Sequence, residues 1–378
     1  MIYFDNAATG GFKPRAVTDA AENVIRYLSA NPGRSGHRLS ITGAQIISSA
    51  RESLGSFFNA PLDRVIFTKN CTEALNLAIF GTLKTGGHIV TTTFEHNSVL
   101  RPLTALKNQG LIELDVVSPT ENTDILTAIK NAVKANTYLI ITTAVSNVTG
   151  EILPVRKIGE IAKERDLLYL VDGAQGGGHI PLDLIKDGIS MLALAGHKGL
   201  YGIMGSGALL FCEGVTVEPL IYGGTGSESF NLNQPSIYPE KLEAGTHNLP
   251  AIAALKEGVD FISKNLSNFS KHLYSATEYA IFGLHQILGV KVYSTPNPAG
   301  IIAFSVLDKD STDIADTLNA DYDIAVRGGL HCAPLTHKYY GTDKTGLIRI
   351  SLAVQNSSSE INYFIKAVNK IVGEVKSF

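Results

Sequence analysis

The sequence predicts an α/β protein whose larger part is a mostly parallel, doubly wound sheet. Short apolar runs alternate with segments of helical spacing over roughly 150 residues, which is typical of such sheets. Two of the runs, Leu167–Val171 and Ile189–Leu194, end in polar residues and glycine, as buried parallel strands do where ligands bind. The length of 378 residues exceeds what one core usually organises, so we expect two domains.

The predicted elements of the first part alternate regularly after an extended start over residues 1–15. Helices are identified by apolar side chains three or four positions apart, and strands by short β-branched or apolar runs. Thr72 is well placed to cap the helix that starts near it. We predict helices over 14–28, 41–58, from about 72, and over 98–109, 124–135 and 154–165, and strands over 64–68, 88–92, 111–117, 138–143, 167–171, 189–194 and 208–211.

The alternation lapses into a long loop between Gly223 and Gly245, and a helix begins near Pro250. The remaining pattern of strands and helices predicts a small α+β domain. Its helices are predicted over 251–288, 312–319 and 360–375, and its strands over 290–293, 301–306, 324–327 and 347–351. We therefore predict a large domain over 16–250 and a small domain made of 1–15 and 251–378.

Composition excludes several classes of partner. The net charge is −3 and no long basic run occurs, so neither nucleic-acid nor membrane-surface binding is expected. No apolar run approaches a membrane span, and the start, Met1–Asp5, has no basic region or apolar core of an export signal. Three cysteines argue against a disulfide framework, which predicts a cytoplasmic protein. We predict no metal site.

Two residues at the ends of the opening strands suggest a cofactor. Asp172 ends one strand, and Lys198 follows the other in Ala195-Gly196-His197-Lys198-Gly199. They lie 26 positions apart, about one strand–helix–strand crossover, so their strands could be neighbours. Pyridoxal 5′-phosphate needs a lysine for its aldehyde and an acid for its pyridine nitrogen. Either residue alone is better explained as a helix cap or a surface lysine, whereas the pair favours this cofactor.

Other polar residues follow the predicted strands. The helix that starts near Thr72 could hold an anion at its amino terminus. His96 could stack on a flat ring, and Asn147 could bind a ring hydroxyl or a carboxylate. Gln175 is within reach of the ring edge, and His197 could donate to a phosphate. An exposed loop histidine and a turn asparagine remain open alternatives for His96 and Asn147.

The predicted small domain contains a cysteine in a glycine-bounded loop. Cys332 follows His331, and Arg327 lies five residues earlier. Positive charge lowers a thiol's pKa, so this cysteine could be a mobile nucleophile, with an inert surface thiol as the alternative. Arg349 interrupts an apolar strand and needs an anionic partner, either a substrate carboxylate or a structural salt bridge. Without charged neighbours of this kind, Cys71 and Cys212 are expected to be structural.

These residues together resemble the class V aminotransferase family, and within it the cysteine desulfurases of the SUF type (group II). Selenocysteine lyases share much of the pattern. The Cys332 loop makes the likeness specific for sulfur transfer. The resemblance extends over almost the whole chain, through Phe4–Ala8, Asn31–His37, Cys71–Ala74, Glu95–Asn97, Val145–Asn147, Val171–Gln175, Gly196–Lys198, Glu243–Thr246, Arg327–Ala333 and Arg349.

The resemblance implies a pyridoxal-phosphate-dependent transferase of fold type I that converts L-cysteine to L-alanine and forms a persulfide on Cys332. Lys198 would hold the cofactor and move the Cα proton. The implied catalytic residues are Lys198, Cys332 and His96. The implied cofactor contacts are Cys71, Thr72, His96, Asn147, Asp172, Gln175, His197, Lys198 and Thr246, and the substrate contacts are Asn147, Arg327 and Arg349. Thr246 would reach the neighbouring subunit's phosphate in a homodimer with shared sites.

Two departures from the family pattern affect the phosphate site. Ala195 stands where a hydroxyl residue is common, and Gly199 is an additional glycine after Lys198. The compact loop of Cys332 suggests dependence on a sulfur-acceptor protein. A selenocysteine lyase, another class V enzyme acting on a small amino acid, and a catalytically idle carrier remain alternatives, although Lys198, Asp172 and Arg349 argue against the last.

Overall fold

A seven-stranded sheet forms the centre of the computed structural model, which describes residues 1–307 and 309–375. The chain begins with β1 (Ile2–Tyr3), α1 (Arg15–Tyr27) and α2 (Arg38–Phe58). The sheet strands are β2 (Val65–Thr68), β3 (Gly87–Thr92), β4 (Ile112–Val117), β5 (Thr137–Thr143), β6 (Leu168–Asp172), β7 (Met191–Ala195) and β8 (Gly207–Phe211). Between them lie α3 (Cys71–Gly81), α4 (Asn97–Asn108), α5 (Ile125–Ala132) and α6 (Val155–Glu164).

The sheet is mostly parallel, as predicted. Its order is β2-β8-β7-β6-β5-β3-β4, and the strands from β7 to β4 run parallel to their neighbours. At the other edge, β8 is antiparallel to both β7 and β2. Separate apolar clusters cover the two faces, one including α2 and α6 and the other including α3 and α4. Strands β5 and β7 are buried along their whole length, which explains the apolar run of β7 and the apolar centre of β5.

Strands β6 and β7 are parallel neighbours, with Asp172 opposite Ala193. The sequence prediction that Asp172 and Lys198 belong to adjacent strands is therefore correct. The expected crossover helix is absent, because residues 173–190 form turns in the described structure. Three glycines, Gly176–Gly178, and Pro181 disfavour a helix there.

The remaining elements form a second group around a long helix, α7 (Leu249–His285). Its first half packs in a core of the central sheet, and its second half packs against a separate core with β10 and α10. The group contains β9 (Val290–Val292), β10 (Ile301–Val306), α8 (Ser311–Tyr322), β11 (Ile324–Ala325), α9 (Pro334–Tyr340), β12 (Ile348–Ser351) and α10 (Ser358–Val375). The division into 16–250 and 1–15 with 251–378 stays a prediction.

This group holds the chain's beginning close to its end. Strands β12, β10 and β9 form an antiparallel sheet, while β11 pairs in parallel with β1. Asp5 bridges to Ser351 of β12, so the segment after β1 is fixed beside the carboxyl-terminal strands. The short helix α9 is not among the sequence predictions. None of the helices in the described ranges combines the length and apolar character that a membrane span requires.

Candidate active site

A cleft opens where strands β5, β6 and β7 end and helices α3 and α4 begin. Its cavity volume is about 100 Å³. This is the position at which open α/β sheets bind ligands. Its walls are formed by Asn70, Cys71, Thr72, Leu75, His96, Ser98, Thr143, Asn147, Asp172, Ala174, Gln175, Ala195, His197 and Lys198.

Lys198 lies in the tight connection from β7 to β8. The connection is closed by hydrogen bonds from the amide of Gly196 to the Ser206 carbonyl (3.0 Å) and from that of Gly202 to the Gly196 carbonyl (2.8 Å). Burial lowers the pKa of the Lys198 amine, and the negative charge of Asp172 opposes that shift. A buried amine with a lowered pKa supplies more of the neutral form that attacks carbonyl groups.

Asp172, at the end of β6, is buried in the cleft beside the first turn of α3. One carboxylate oxygen accepts from the Ala174 amide at 2.9 Å and lies 3.5 Å from the Cys71 thiol. Burial, together with the Asp172 charge, raises the pKa of the Cys71 thiol well above its usual value. Cys71 is therefore a neutral thiol, which agrees with its predicted structural character.

A chain of hydrogen bonds joins the starts of α3 and α4. The hydroxyl of Ser98 lies 2.8 Å from that of Thr72 and 2.9 Å from Nδ1 of His96. The Ser98 amide also donates to Nδ1 of His96 at 3.0 Å. Because an amide can only donate, Nδ1 must carry the lone pair. Burial lowers the pKa of His96, so the neutral ring carries its proton on Nε2.

Asn70, rather than Thr72, caps α3, which corrects the sequence prediction. The Asn70 side chain accepts from the Glu73 amide at 2.9 Å, and Thr72 is the second residue of the helix. Asparagine is a better cap than threonine, and as the cap it starts the helix two residues earlier than Thr72 would. The first amides of a helix have no intrahelical acceptor, so this end remains suited to an anion.

Gln175 and Asn147 present amides to the cleft in different ways. The Gln175 amide nitrogen donates to the Ala7 carbonyl at 2.9 Å, while its oxygen is buried without a hydrogen-bond partner among the described residues. A buried unpaired oxygen of this kind accepts a ligand's hydrogen bond. The Asn147 side chain instead donates to the His331 carbonyl at 2.7 Å. It therefore ties the cleft to the loop of Cys332.

Residues 326–333, which we term the cysteine loop, are held against the cleft. The Asn97 amide donates to the Cys332 carbonyl at 2.7 Å, next to the start of α4. His331 and Cys332 both have positive φ, of 50° and 57°, which side chains disfavour. Burial lowers the pKa of His331 far below its usual value, so the ring is neutral where it stacks on His337. These contacts present Cys332 as an exposed thiol on a fixed loop.

Two arginines lie behind this thiol on paired backbone segments. Arg327 and Arg349 exchange backbone hydrogen bonds at 3.1 and 2.8 Å, and an Arg327 guanidinium nitrogen is 3.8 Å from the Cys332 sulfur. Arg349 is 1% exposed and donates to the Asp5 carboxylate and the Asn147 carbonyl, both at 2.9 Å. Its Nε has no hydrogen-bond partner in the described residues. The guanidinium thus keeps a donor for an anion.

The structure brings most of the predicted site residues together and leaves one aside. Eight line the cleft: Cys71, Thr72, His96, Asn147, Asp172, Gln175, His197 and Lys198. Cys332, Arg327 and Arg349 adjoin it through Asn147 and Asn97. Thr246 lies outside the cleft in its own chain, where its hydroxyl is 3.4 Å from the Asn31 amide nitrogen. Its contact with a neighbouring subunit stays a prediction.

The two departures from the family pattern have clear positions. Ala195 lines the cleft without a hydroxyl, whereas Ser98 supplies one from the start of α4. Gly199 packs so closely on Gly177 that an added Cβ would lie 2.4 Å from that residue's carbonyl oxygen and 2.7 Å from the His179 ring. A glycine is required there because any side chain would displace the Lys198 loop.

Glu95 lies directly before His96 and is completely buried. One carboxyl oxygen accepts from the Thr92 hydroxyl (2.6 Å) and the Thr143 amide (3.0 Å), while the other has no partner among the described residues. Burial raises the pKa of Glu95 to about 8, and the charge of Asp172 adds to the shift. Glu95 is therefore a neutral acid at pH 7, and the site carries one negative charge fewer than its carboxyls suggest.

We expect Glu95→Gln to change how stability depends on pH. The unfolded chain releases this proton near the ordinary glutamate pKa of 4.5, whereas the folded chain holds it to about 8. The contribution of Glu95 to the free energy of unfolding is therefore fully present below pH 4.5. It decreases as pH rises toward 8, by up to roughly 1.4 kcal/mol per pH unit. Denaturant unfolding across that range should show a flatter profile for Glu95→Gln and the wild-type profile for the exposed control Glu121→Gln. Equal slopes for all three proteins would contradict a neutral Glu95.

Comparisons with known proteins agree with this geometry. The model of the family "Aminotransferase class-V" matches residues 2–364. This chain belongs to the class V aminotransferase family. A relative from Pyrococcus abyssi named "Probable cysteine desulfurase" is 33% identical over 100% of this chain and 96% of its own length. Another of that name, from Methanothermobacter thermautotrophicus, is 32% identical over 98% and 95%.

Solved structures of cysteine desulfurases have the same fold as this chain. The apo structure of a cysteine desulfurase from Thermococcus onnurineus superposes with a TM-score of 0.92 at 31% identity, covering 99% of this chain and 95% of its own. A cysteine desulfurase from Escherichia coli superposes with a TM-score of 0.88 at 25% identity, covering 99% and 94%. Both likenesses extend over the central sheet and the second group of elements, so the fold type I assignment is confirmed.

Several residues of the site escaped the sequence analysis. Ser98 joins Thr72 to His96, Asp5 pairs with Arg349, and Thr9 contacts His197. Glu95 belongs to the motif Glu95–Asn97, which carries no signal of its neutral state. The one available signal was Arg349, because an arginine in an apolar strand requires an anionic partner elsewhere in the chain. Within residues 1–307 and 309–375, no cluster of three or more His, Cys, Asp or Glu side chains is arranged for a metal ion.

Proposed function

We propose that this chain is a pyridoxal-phosphate-dependent cysteine desulfurase, which converts L-cysteine to L-alanine and leaves a persulfide on Cys332. One observation carries the proposal: a half-buried lysine and a buried carboxylate share a cleft whose rim holds an exposed cysteine on a hydrogen-bonded loop. An aminotransferase needs the first part of this arrangement but has no use for the second. The names of the relatives support the same reaction.

The donors of the cleft fit pyridoxal phosphate. Lys198 would hold its aldehyde carbon, Asp172 its pyridine nitrogen, and the unpaired Gln175 oxygen its ring hydroxyl. His96 would cover the ring face. The start of α3 at Cys71, with Thr72 and His197, would hold the phosphate. When bound, this cofactor withdraws electrons from the substrate's Cα and so makes its proton acidic.

The chain's own groups then perform the remaining steps. Lys198, whose pKa is lowered by burial, takes the Cα proton and returns it. The Cys332 thiolate attacks the substrate sulfur: a sulfur–sulfur bond forms, the carbon–sulfur bond breaks, and its electron pair passes to the substrate carbon, which gains a proton. L-cysteine and the Cys332 thiol thus become L-alanine and a persulfide. Splitting sulfur transfer into two steps is covalent catalysis.

Arg349 would bind the substrate carboxylate through the donor that Asp5 and Asn147 leave free. We expect Arg349→Lys to lower kcat/KM for L-cysteine by about a hundredfold, chiefly through KM, because an ammonium keeps the charge but not the planar fork. Steady-state alanine release measures this effect. The control Arg64→Lys, which changes an arginine packed on Tyr238 outside the cleft, should retain the wild-type KM. An unchanged KM for Arg349→Lys would remove Arg349 from the substrate site.

We propose that the active form is a homodimer in which Thr246 serves the partner's phosphate site. Two features support it: Thr246 lies outside its own cleft, and the segment 220–237 exposes large apolar side chains. Phe230 and Leu232 are fully exposed, which is typical of a surface that another chain covers.

Cys332 would pass its sulfur to an acceptor protein. The three free cysteines suit the reducing cytoplasm.

The proposal is tested by supplying three substrates to the pyridoxal-phosphate-loaded enzyme with a thiol reductant. Alanine release from L-cysteine at a rate comparable with or above that from L-selenocysteine supports desulfuration. Activity confined to L-selenocysteine would make the enzyme a selenocysteine lyase. Amino transfer from a small amino acid to a 2-oxo acid, with no alanine from either substrate, would contradict both and leave Cys332 without a catalytic role.

A further inference from the structure

The segment from Thr9 to Lys13 holds the residue before the cofactor lysine. The backbone carbonyl of His197 accepts hydrogen bonds from the Gly10 amide and the Lys13 amine, both at 3.0 Å. The ring Nδ1 of His197 lies 3.1 Å from the hydroxyl of Thr9. This histidine is thus fixed at its backbone and its ring by one stretch of the amino-terminal segment.

The contacts of the carbonyl decide where the Thr9 proton points. The Thr9 hydroxyl lies 3.4 Å from the His197 carbonyl and 3.1 Å from the ring nitrogen. Gly10 and Lys13 already occupy the two lone pairs of that carbonyl at shorter distances. This favours donation from the hydroxyl to Nδ1, the closer acceptor, which leaves the lone pair on that nitrogen.

The charge state of the ring completes the assignment. Burial lowers the pKa of His197 to about 4, and the positive charges of Lys198 and Lys13 add to the shift. The ring is therefore neutral near pH 7 and has one proton. With the lone pair on Nδ1, that proton is on Nε2, which makes no hydrogen bond with another of the described residues, although the ring lines the cleft.

We propose that Thr9 is a positioning residue that fixes His197 in its Nε2–H form, so that the ring donates to a bound phosphate monoester at the start of α3. The Nδ1–H form of the ring would instead present the Nε2 lone pair to the phosphate and repel it. The identity of the phosphate rests on the proposed cofactor and hence on the proposed function. The assignment of the proton to Nε2 does not depend on it. Lys13 contributes by occupying the competing carbonyl.

The ring form is read directly by NMR of protein labelled with ¹⁵N-histidine, with the His197 signals assigned by their loss in His197→Gln. Wild type and Thr9→Ser should show the Nε2–H form. Thr9→Val, which keeps the shape and removes the hydroxyl, should show a mixture with the Nδ1–H form. Thr9→Ala replaces Thr9→Val if thermal unfolding shows that the valine variant is not folded. A wild type in the Nδ1–H form, or a hydroxyl-free variant with wild-type signals, would overturn the inference.

The second readout is the dissociation constant for pyridoxal phosphate added to the full-length chain after cofactor removal. We expect Thr9→Val to bind more weakly than Thr9→Ser by the factor by which its Nε2–H fraction falls, about twofold for an equal mixture, because only that form donates to the phosphate. Equal affinities would overturn the role toward the phosphate. If wild type binds no pyridoxal phosphate while His197 is in its Nε2–H form, the proposed function fails and the ring assignment stands.

Discussion

Replacing Lys198 with alanine should reduce alanine release from L-cysteine at least about a thousandfold, since the same amine would hold the cofactor and move the Cα proton. No other lysine lines the cleft within the described residues. The variant should remain folded, since Lys198 makes no side-chain hydrogen bond that holds the β7–β8 connection, which closes through Gly196 and Gly202.

Two measurements separate this role from a structural one. Borohydride treatment followed by peptide mapping should find the cofactor attached at Lys198 in the wild type, and no attachment in Lys198→Ala. The control Lys186→Ala changes an exposed lysine paired with Asp183 and should match the wild type in both activity and labelling. Substantial alanine release by Lys198→Ala would refute the assignment of this lysine.

Cys332→Ala should reduce persulfide formation and alanine release to the level of a protein-free control, while the affinity for pyridoxal phosphate stays unchanged. The thiol lies on the rim, and its loop is fixed by the backbone bond from Asn97 and by Asn147 bonding to His331. Neither contact uses the cysteine side chain. The substitution therefore removes the nucleophile and leaves the cleft intact.

Cys212 provides the matched control for this variant. Its thiol donates to the Ile189 carbonyl at 3.1 Å, and burial raises its pKa. Cys212→Ala should therefore keep full activity. Wild-type turnover by Cys332→Ala, measured as alanine with a thiol reductant present, would show that the substrate sulfur leaves without attack by Cys332.

The sequence predicted the order of the elements well because the buried strands are nearly pure apolar runs. It also predicted correctly that Asp172 and Lys198 follow neighbouring strands. The prediction of a helix in the crossover between them was wrong, since glycine and proline keep residues 173–190 in turns. Helix α9 was missed because Pro334–Tyr340 is too short to display a helical period.

Individual site residues were predictable where a short motif contains both the end of a strand and the functional side chain that follows it. Asp172, His197 and Lys198 are of this kind. Asp5 was not predictable, because its ion pair with Arg349 joins positions 344 residues apart. Thr9 and Ser98 act through histidine ring nitrogens, and the sequence contains no signal for which nitrogen carries the proton. The neutral state of Glu95 depends on complete burial, which an isolated glutamate in a motif does not reveal.

The central claim is that Cys332 receives the substrate sulfur. Its most direct test is the intact mass of the cofactor-loaded protein after incubation with L-cysteine and no reductant, for wild type and Cys332→Ala. The account predicts an increase by the mass of one sulfur atom in the wild type alone, located at Cys332 by peptide mapping and accompanied by one alanine. An unchanged mass with no alanine, or the same increase in both proteins, would contradict it.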